Sequence, residues 1–194
     1  MIRDLIRKNR SYRRFYQNIP LDMSTLKSLV DLARQTPSAA NKQPLKYILS
    51  NQSAVNDEIF KQLAWAGYLK QWPGPEEGEK PAAYILLLAD QNISQVINCD
   101  HGIAAQTILL GAVELGFGGC ILSSINRGKL TEALDIPSHL EILLVIALGK
   151  PKETVILEEM PEDGDIKYWR DVDDRHHVPK RALDEIILAE YKDY

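Results

Sequence analysis

The chain has 194 residues, of which 45% are hydrophobic and 26% are charged, and this length and composition suit one globular domain with a sizeable core. A net charge of −4 provides no basic field for nucleic acid or an anionic membrane, and the apolar runs, such as 142–148, are far shorter than the roughly 20 residues of a membrane span. The N-terminus lacks the layout of a signal peptide, and Cys99 and Cys120 stand alone, as is typical of reduced thiols. We therefore expect a single domain over 1–194 that is cytoplasmic and has no nucleic-acid or membrane partner.

The predicted elements of the first half mix helices and strands. Hydrophobic periodicity predicts helices over 2–9, 22–35 and 55–65 and strands over 46–50 and 82–89. Asp22 or Ser24 is suited to cap the second helix, because either side chain accepts a hydrogen bond from a free backbone N–H. Residues 66–81 are rich in glycine, proline and aromatic side chains, so we expect an irregular excursion there.

The second half continues the mixture, with helices over 98–116, 129–134 and 181–191 and strands over 120–122 and 142–148. The 98–116 helix is apolar almost all round and ends at Gly116, which places it in the core or in a subunit interface. The segment between residue 150 and the last helix is polar and interrupted by prolines, and no regular element is predicted within it.

Residues 37–44 (Pro-Ser-Ala-Ala-Asn-Lys-Gln-Pro) connect the second helix to the first strand and carry unusually many polar groups. The two prolines stiffen the ends of this 37–44 loop, and Asn41 and Gln43 each offer one acceptor and two donors. Such groups suit a planar heterocycle with mixed hydrogen-bonding edges. The alternative is a proline-bounded turn whose side chains cap the backbone.

Two basic segments predict an anion site. The first contains three arginines and one serine within five residues, namely Arg10, Ser11, Arg13 and Arg14. Arginine binds phosphate through its planar fork, and serine adds a neutral donor. Lys180 and Arg181 form the second segment and would neutralise the same phosphate dianion if the chain end returned to the first. The alternatives are a solvated basic loop and an ordinary cation pair at the start of a helix.

A glycine-rich segment, 116–119, joins the apolar helix to the strand that follows it. Glycines there allow close backbone approach, and the end of the strand presents Ser123 and Ser124 with free amides that could donate to a ring nitrogen or oxygen. The alternative is a helix C-cap followed by an ordinary strand terminus.

The sequence gives little support to metal or nucleophilic chemistry. His176 and His177 are adjacent, so in an extended segment they point to opposite faces, and the aspartates at 171–174 suit a solvated turn. The chain has no GxSxG or GxGxxG motif, and neither cysteine has a basic neighbour in the sequence. We therefore expect no metal, no nucleophilic catalyst and no Rossmann dinucleotide site.

Together, the arginine motif (residues 10–15), the 37–44 loop and the glycine-rich turn into Ser123 and Ser124 resemble the FMN-dependent nitroreductase family. The resemblance covers nearly the whole chain, from residue 3 to the basic pair at 180–181. It implies an α+β, three-layer fold with a central, mainly antiparallel sheet flanked by helices. It also implies an intertwined homodimer with FMN at the subunit interface, in which 98–116 is a dimerisation helix and 150–194 wraps around the partner.

The resemblance also implies roles for particular residues. The phosphate end of FMN would contact Arg10, Ser11, Arg13, Arg14, Lys180 and Arg181. The isoalloxazine and ribityl chain would contact the 37–44 loop, often from the other subunit, through Pro37, Ser38, Ala39, Ala40, Asn41 and Gln43, and flavin N5 would face the backbone of Ser123 and Ser124. Asn9 stands where many members have an arginine, so Arg10 or Arg14 would replace that contact. Tyr68 and Trp72 in the excursion are candidates for a lid over the flavin.

The reaction that the resemblance implies is the transfer of electrons from NAD(P)H through FMN to a small aromatic acceptor such as a nitroaromatic or quinone. The flavin would carry the chemistry by a ping-pong hydride mechanism, so no catalytic side chain is predicted. Two alternatives remain open. The same fold could support a specialised flavin reaction such as reductive dehalogenation or flavin fragmentation, or it could bind flavin without significant turnover.

Overall fold

A central sheet lies between two layers of helices in the computed structural model, which describes residues 1–192. The helices are α1 (Ile2–Lys8), α2 (Met23–Arg34), α3 (Ser53–Lys61), α4 (Asp100–Glu114), α5 (Arg127–Ala133) and α6 (Leu183–Ile186). The strands are β1 (Phe15–Tyr16), β2 (Leu45–Ser50), β3 (Ala83–Asp90), β4 (Gly118–Leu122), β5 (Leu140–Pro151), β6 (Val155–Glu159), β7 (Trp169–Arg170) and β8 (His176–Lys180). Among residues 1–192 no helix has the length and apolar character needed to cross a bilayer.

The central sheet is antiparallel throughout, with β3 and β5 in its middle. Strand β2 pairs with β3, whereas β4 and β1 pair with β5. The pairing of β3 with β5 shifts register beside Leu87, so that Leu143 has no partner on β3. Arg127 donates from Nε to the Ile142 carbonyl at 2.8 Å and from Nη2 to the Leu143 carbonyl at 3.1 Å, and therefore binds two carbonyls at this irregularity.

Each face of the sheet is covered by a pair of helices, which produces the three layers. On one face, side chains of α2 and α4 such as Leu29 and Ile108 pack against Ile85 of β3. On the other face, Ile59 of α3 and Leu130 of α5 belong to a second apolar cluster. Since both faces are covered, β3 is buried over nearly its whole length, which explains its continuous apolar run. The predicted α+β, three-layer fold with a mainly antiparallel sheet is confirmed.

Most predicted elements of residues 1–150 are present, with shifted ends. Asp22 is the N-cap of α2, and its side chain accepts from the Thr25 amide at 2.6 Å. Helix α3 ends at Lys61 instead of residue 65, and β5 extends beyond both ends of the predicted 142–148 strand. Helix α4 contributes five buried apolar side chains to the core of its own chain, as the lack of a polar face predicted.

The prediction of a helix over 181–191 is wrong, because only Leu183–Ile186 is helical. Leu183, Ile186 and Ile187 are all exposed, so the apolar face that suggested a helix packs against no other element in the described chain. Short helices are marginal without such packing, and the segment has no side-chain cap at Ala182. The rest of this segment, up to residue 192, is irregular.

Sequence reasoning missed a second, three-stranded sheet in the tail (residues 151–192). Strand β8 lies between β6, to which it is parallel, and β7, to which it is antiparallel. Pro179 within β8 argued against a strand. However, β7 pairs only with His176 and His177. At Pro179 the edge of β8 on the β7 side therefore has no partner strand, so the lack of a backbone N–H in proline costs no hydrogen bond.

Strand β4 approaches β5 so closely that Gly119 has no room for a side chain. A Cβ at this position would lie 2.4 Å from the Ala147 carbonyl oxygen and 2.8 Å from Leu109 Cδ2. We expect Gly119→Ala to lower the free energy of unfolding by about 1–3 kcal/mol, because the backbone oxygen cannot move aside cheaply.

Gly128 in α5 is the matched control, because a Cβ there would meet nothing within 4 Å. Gly128→Ala should leave the free energy of unfolding unchanged or raise it by up to about 1 kcal/mol. Urea unfolding followed by circular dichroism measures both variants. Equal stability of the two variants would contradict the close approach of β4.

Candidate functional site

A cavity of about 370 Å³ lies between the segment that follows α1 and the strands of the tail. Its cationic and hydroxyl groups are Arg10, Ser11, Arg13 and Lys180, and we call it the cation cavity. The structure therefore brings the first basic segment and Lys180 together, although 166 positions of sequence separate residue 14 from residue 180. Asn9 also lines the cavity and donates from Nδ2 to Gln106 Oε1 of α4 at 3.3 Å.

Arg10 and Arg13 are held at the cavity by contacts with the chain around them. Arg10 donates from Nη2 to the Ile6 carbonyl at 2.7 Å, whereas its buried Nε has no hydrogen-bond partner among residues 1–192. Arg13 donates from Nη1 to the Ser11 carbonyl at 3.2 Å, and its guanidinium lies 4.9 Å from the ring centre of Tyr168. The two guanidiniums thus have fixed positions and spare donor capacity for an anion.

His176 is a buried, neutral part of the cavity wall. Its Nε2 lies 3.2 Å from Nη1 of Arg13, which is a donor, so the imidazole accepts at this atom. Burial lowers the pKa of His176 to about 4, and the positive charges of Arg13 and Arg170 act in the same direction. The imidazole is therefore uncharged at neutral pH and orients Arg13 without adding to the positive charge of the cavity.

Two of the predicted phosphate-binding cations lie elsewhere. Arg14 donates from Nε and Nη2 to the two carboxylate oxygens of Glu79, at 2.6 and 2.7 Å, and contacts Asp174 at 3.2 Å. These bonds, first of all that from Arg14, lower the pKa of Glu79 to about 2. Arg181 is bound to Glu185. Neither Arg14 nor Arg181 lines the cation cavity, so of the two arginines proposed to replace the contact at Asn9, Arg10 is the one in position.

The 37–44 loop has a strained backbone. Ala39–Asn41 forms a single 3₁₀ turn, and Ala40, Asn41 and Gln43 have φ angles of 51°, 54° and 53°. This left-handed conformation costs about 1–2 kcal/mol for each residue that is not glycine. Such strain is retained only where surrounding contacts fix the backbone, and it is common at ligand-binding sites.

Within one chain, the loop and the serines after β4 do not line the cation cavity. The loop borders a separate cavity of about 170 Å³, lined in part by Pro37, Ser38 and Gln43. Gln43 donates from Nε2 to the Asn41 carbonyl at 3.2 Å. Ser123 and Ser124 are exposed directly after β4, the strand whose Ile121 lines the cation cavity.

The excursion at 66–81 touches the tail next to the cation cavity. The rings of Tyr68 and Tyr168 lie 4.9 Å apart, and Tyr168 also lines the cation cavity. The ring of Trp72 lies 4.2 Å from the guanidinium of Arg170. An open groove of about 500 Å³ is bordered by Tyr68, Trp72, Trp169 and Arg170. Tyr68 is therefore a neighbour of the cation cavity through Tyr168, whereas Trp72 contacts Arg170, which does not line that cavity.

Sequence reasoning selected Lys180 but missed the other two residues that β8 contributes to the cavity, although a signal was present. His176, Val178 and Lys180 all line the cation cavity, and they alternate along the strand. A period of two residues places side chains on one face of a strand. A strand predicted here would have placed His176 and Lys180 on the same face, but Pro179 and the polar composition argued against a strand.

The profile of the nitroreductase family matches residues 6–150, about three quarters of the chain. The chain belongs to the nitroreductase family. Among solved structures, an FMN-dependent nitroreductase from Clostridium difficile R20291 superposes with a TM-score of 0.66 at 19% identity and covers 100% of both chains. The nitroreductase fold in that protein therefore has a counterpart for the tail as well as for the matched core.

Two relatives give further points of comparison. A protein from Archaeoglobus fulgidus, named as a candidate NADH dehydrogenase/NAD(P)H nitroreductase, is 28% identical over 151 residues, and the match covers 72% of this chain and 80% of the relative. A 5,6-dimethylbenzimidazole synthase from Rhodospirillum rubrum is 24% identical over 174 residues, and that match covers 78% of this chain and 82% of the relative. Both similarities extend over most of the nitroreductase-family chain.

The neutral state of His176 predicts how stability depends on pH. The unfolded chain binds a proton at its histidine near pH 6.5, whereas the folded chain binds it only near pH 4. The unfolded state therefore holds more protons between these values, and stability falls as the pH is lowered from 6.5 to 4. His176→Gln should remove up to about 1.4 kcal/mol per pH unit from this slope, as measured by urea unfolding at several pH values.

His177 provides a control of opposite sign. Its hydrogen bonds with Glu158 and Asp171 raise its pKa, so its contribution to stability is present below pH 6.5 and is lost as the pH rises through the folded value. His177→Gln should therefore remove a loss of stability as the pH rises above 6.5 and leave the slope between pH 6.5 and 4 nearly unchanged. If His176→Gln also left the slope between pH 6.5 and 4 unchanged, the neutral assignment of His176 would be wrong.

Proposed function

We propose that this nitroreductase-family protein is an FMN-dependent oxidoreductase that transfers electrons from NAD(P)H to a small aromatic acceptor such as a quinone or nitroaromatic. The observation that carries the proposal is the cation cavity. It combines residues of the arginine motif, Arg10, Ser11 and Arg13, with Lys180 of the tail. Three cations and a hydroxyl around one cavity suit a phosphate dianion.

The residues at the cavity fit the phosphate end of FMN. Arg10 keeps a buried Nε without a hydrogen-bond partner in the described chain, which an anionic oxygen would satisfy. Glu153 is a carboxylate close to the cavity, but Arg170 balances its charge at 3.1 Å. The three cations are thus available to a ligand, and Ser11 adds a donor without charge.

A homodimer supplies what one chain lacks. The 37–44 loop borders a different cavity, so its amide groups reach a flavin bound at the cation cavity only if a second chain contributes them. Exposed apolar side chains at both ends of the chain support such an assembly: Met1, Ile2 and Ile6 near one end and Leu183, Ile186, Leu188 and Tyr191 near the other. We therefore propose that the end of the tail contacts the partner, and sedimentation at twice 21.9 kDa tests this arrangement.

The protein would bind and orient the cofactor and shield it from water. When bound, FMN would supply the two-electron redox chemistry between NAD(P)H and the acceptor. Asn41 and Gln43 of the partner's loop would hold the ring, and the backbone after β4, at Ser123 and Ser124, would face it. Tyr68 and Trp72 would cover the site. No side chain is assigned an acid, base or nucleophile role.

Flavin fragmentation is the second candidate, favoured by the similarity to a 5,6-dimethylbenzimidazole synthase. The compound in the name of that relative, 5,6-dimethylbenzimidazole, contains a dimethylated benzene ring with two nitrogens attached. The isoalloxazine ring system of flavin contains the same group. A flavin-binding protein without turnover is the remaining alternative. The three are separated by the fate of the flavin and of NAD(P)H.

Lys180 and Arg181 allow a matched test of the phosphate assignment. Lys180 lines the cation cavity, whereas Arg181 is bound to Glu185 outside it. We expect Lys180→Ala to weaken FMN binding by about tenfold or more, and Arg181→Ala to weaken it little, because only the first removes a charge-assisted contact with phosphate. Quenching of flavin fluorescence measures both dissociation constants.

Riboflavin, which lacks the phosphate, is the ligand control, and its affinity should be the same in both variants. An equal loss of FMN affinity in the two variants would contradict the position of the phosphate.

The reaction itself is tested with the purified full chain, which should be yellow and release FMN on denaturation. We expect NAD(P)H to be consumed in the presence of menadione or nitrofurazone while the bound flavin is retained over many turnovers. Loss of flavin with release of a benzimidazole, detected by mass spectrometry, would identify fragmentation instead. A colourless protein that does not take up FMN would refute the cofactor assignment. A yellow protein that consumes no NAD(P)H would refute the proposed oxidoreductase activity.

A further inference from the structure

We propose that Asp100 is a positioning residue that holds the 37–44 loop in the conformation needed to contact the flavin ring. The inference rests on the proposed function, since it assumes that this loop binds flavin. Asp100 belongs to none of the motifs that indicate the family. It begins α4, far from the loop in sequence, and only 4% of its surface is exposed.

The Asp100 carboxylate binds the first part of the loop with both oxygens. Oδ2 accepts from the Ser38 hydroxyl at 2.5 Å, and Oδ1 accepts from the Ala39 amide at 3.1 Å. An ionised carboxylate makes such bonds stronger than a neutral amide or hydroxyl would. The loop is therefore fixed immediately before Ala40, the first of its three residues with positive φ.

Ser38 carries this constraint to the other end of the loop. Its hydroxyl oxygen also accepts from the Gln43 amide, at 2.9 Å. Because the same hydroxyl donates to Asp100, the proton of Ser38 is committed and its oxygen faces Gln43. Asp100 thus sets the orientation of a hydroxyl that ties residue 38 to residue 43 across the turn. This assigns Ser38 to holding the loop, in place of the direct cofactor contact that the family resemblance implies.

Packing does little to support the strained residues. Ala40, Asn41 and Gln43 are exposed, and the loop borders a cavity of about 170 Å³. The hydrogen bonds that Asp100 accepts from Ser38 and Ala39, and that Ser38 accepts from Gln43, therefore carry most of the constraint. Asn41 is held in place by its backbone, while its carboxamide has no hydrogen-bond partner within residues 1–192 and is free for a ligand.

Asp100 also has a competing, purely local explanation, because an acidic residue in the first turn stabilises a helix. A matched control separates this local effect on the helix from the positioning of the loop. Asp22 at the start of α2 accepts from the Ser24 hydroxyl at 2.8 Å and from the Thr25 amide at 2.6 Å, the same pair of groups. It lies at the opposite end of the 12-residue α2 from the loop, about 18 Å away along the helix.

The first measurement follows the loop itself, by hydrogen exchange of the full chain without FMN. We expect exchange of the Gln43 amide to accelerate by about tenfold or more in Asp100→Asn and in Ser38→Ala, because both loosen the bond that protects it. Ser38→Thr keeps the hydroxyl and should restore wild-type exchange. Asp22→Asn should leave the Gln43 amide unchanged.

The second measurement compares three ligands by titration. Asp100→Asn should weaken the binding of FMN and of riboflavin by the same factor, about tenfold. The reason is that the loop contacts the ring that both ligands share and would no longer be pre-organised. Binding of inorganic phosphate should be unaffected, whereas general damage to the fold would weaken it too. Asp22→Asn should bind all three ligands like the wild type.

The outcomes distinguish this inference from the proposed function. If Gln43 exchange were unchanged in both Asp100→Asn and Ser38→Ala, or if it rose without any loss of riboflavin affinity, the positioning role would be wrong. If the wild type bound neither FMN nor riboflavin, the proposed function would be wrong, and so would the role of the loop in binding flavin. The exchange data would still decide whether Asp100 fixes the loop.

Discussion

The cation cavity depends on one buried carboxylate, that of Glu153. Its side chain is fully buried, accepts a hydrogen bond from the backbone amide of Arg13 and pairs with Arg170 at 3.1 Å. One group therefore contacts both the backbone of the arginine motif and the end of β7. Removing one partner of a buried pair costs about 3–5 kcal/mol, because the other charge is left without compensation. Both partners of this pair lie in the tail, so it is the hydrogen bond from the Arg13 amide to Glu153 that links the tail to the arginine motif and helps to place Tyr168, His176 and Lys180 over Arg10 and Arg13.

The two proposed parts of the flavin site are stabilised by different physical means. The cation cavity consists of like charges that neighbouring groups hold apart: a neutral imidazole against Arg13, a backbone carbonyl against Arg10 and an aromatic ring beside the guanidinium. The 37–44 loop instead stores strain in three left-handed residues, about 1–2 kcal/mol each, which hydrogen bonds to Asp100 and Ser38 offset. A bound anion would offset the repulsion between the guanidiniums. The loop is already held in its strained conformation, so it would not have to be ordered when a ligand binds.

The helices and strands of the core were predictable from the sequence because burial leaves a direct pattern, whereas their arrangement in three layers was implied by the family resemblance. Strand β3 is an unbroken apolar run, and α2 has both a cap and an apolar stripe, so their type and position could be read from the residues alone. The tail could not be read in this way, since its strands are short, polar and contain Pro179. Arg13 and Arg14 could not be distinguished either. They are adjacent and chemically identical, and only the fold shows that Glu79 engages one while the other borders the cavity.

The tail also connects the cavity to the excursion, which gives the proposed lid a physical basis. Tyr168 lies between Arg13 and Tyr68, and Arg170 lies between Glu153 and Trp72. Both lid candidates are thus in contact with groups that hold Arg13 in place. A ligand that draws Arg13 toward an anion would act on Tyr168 directly, whereas the Glu153 pair would keep Arg170 and Trp72 fixed. In the proposed lid, the contact at Tyr68 would therefore respond to the ligand, whereas the contact at Trp72 would stay fixed.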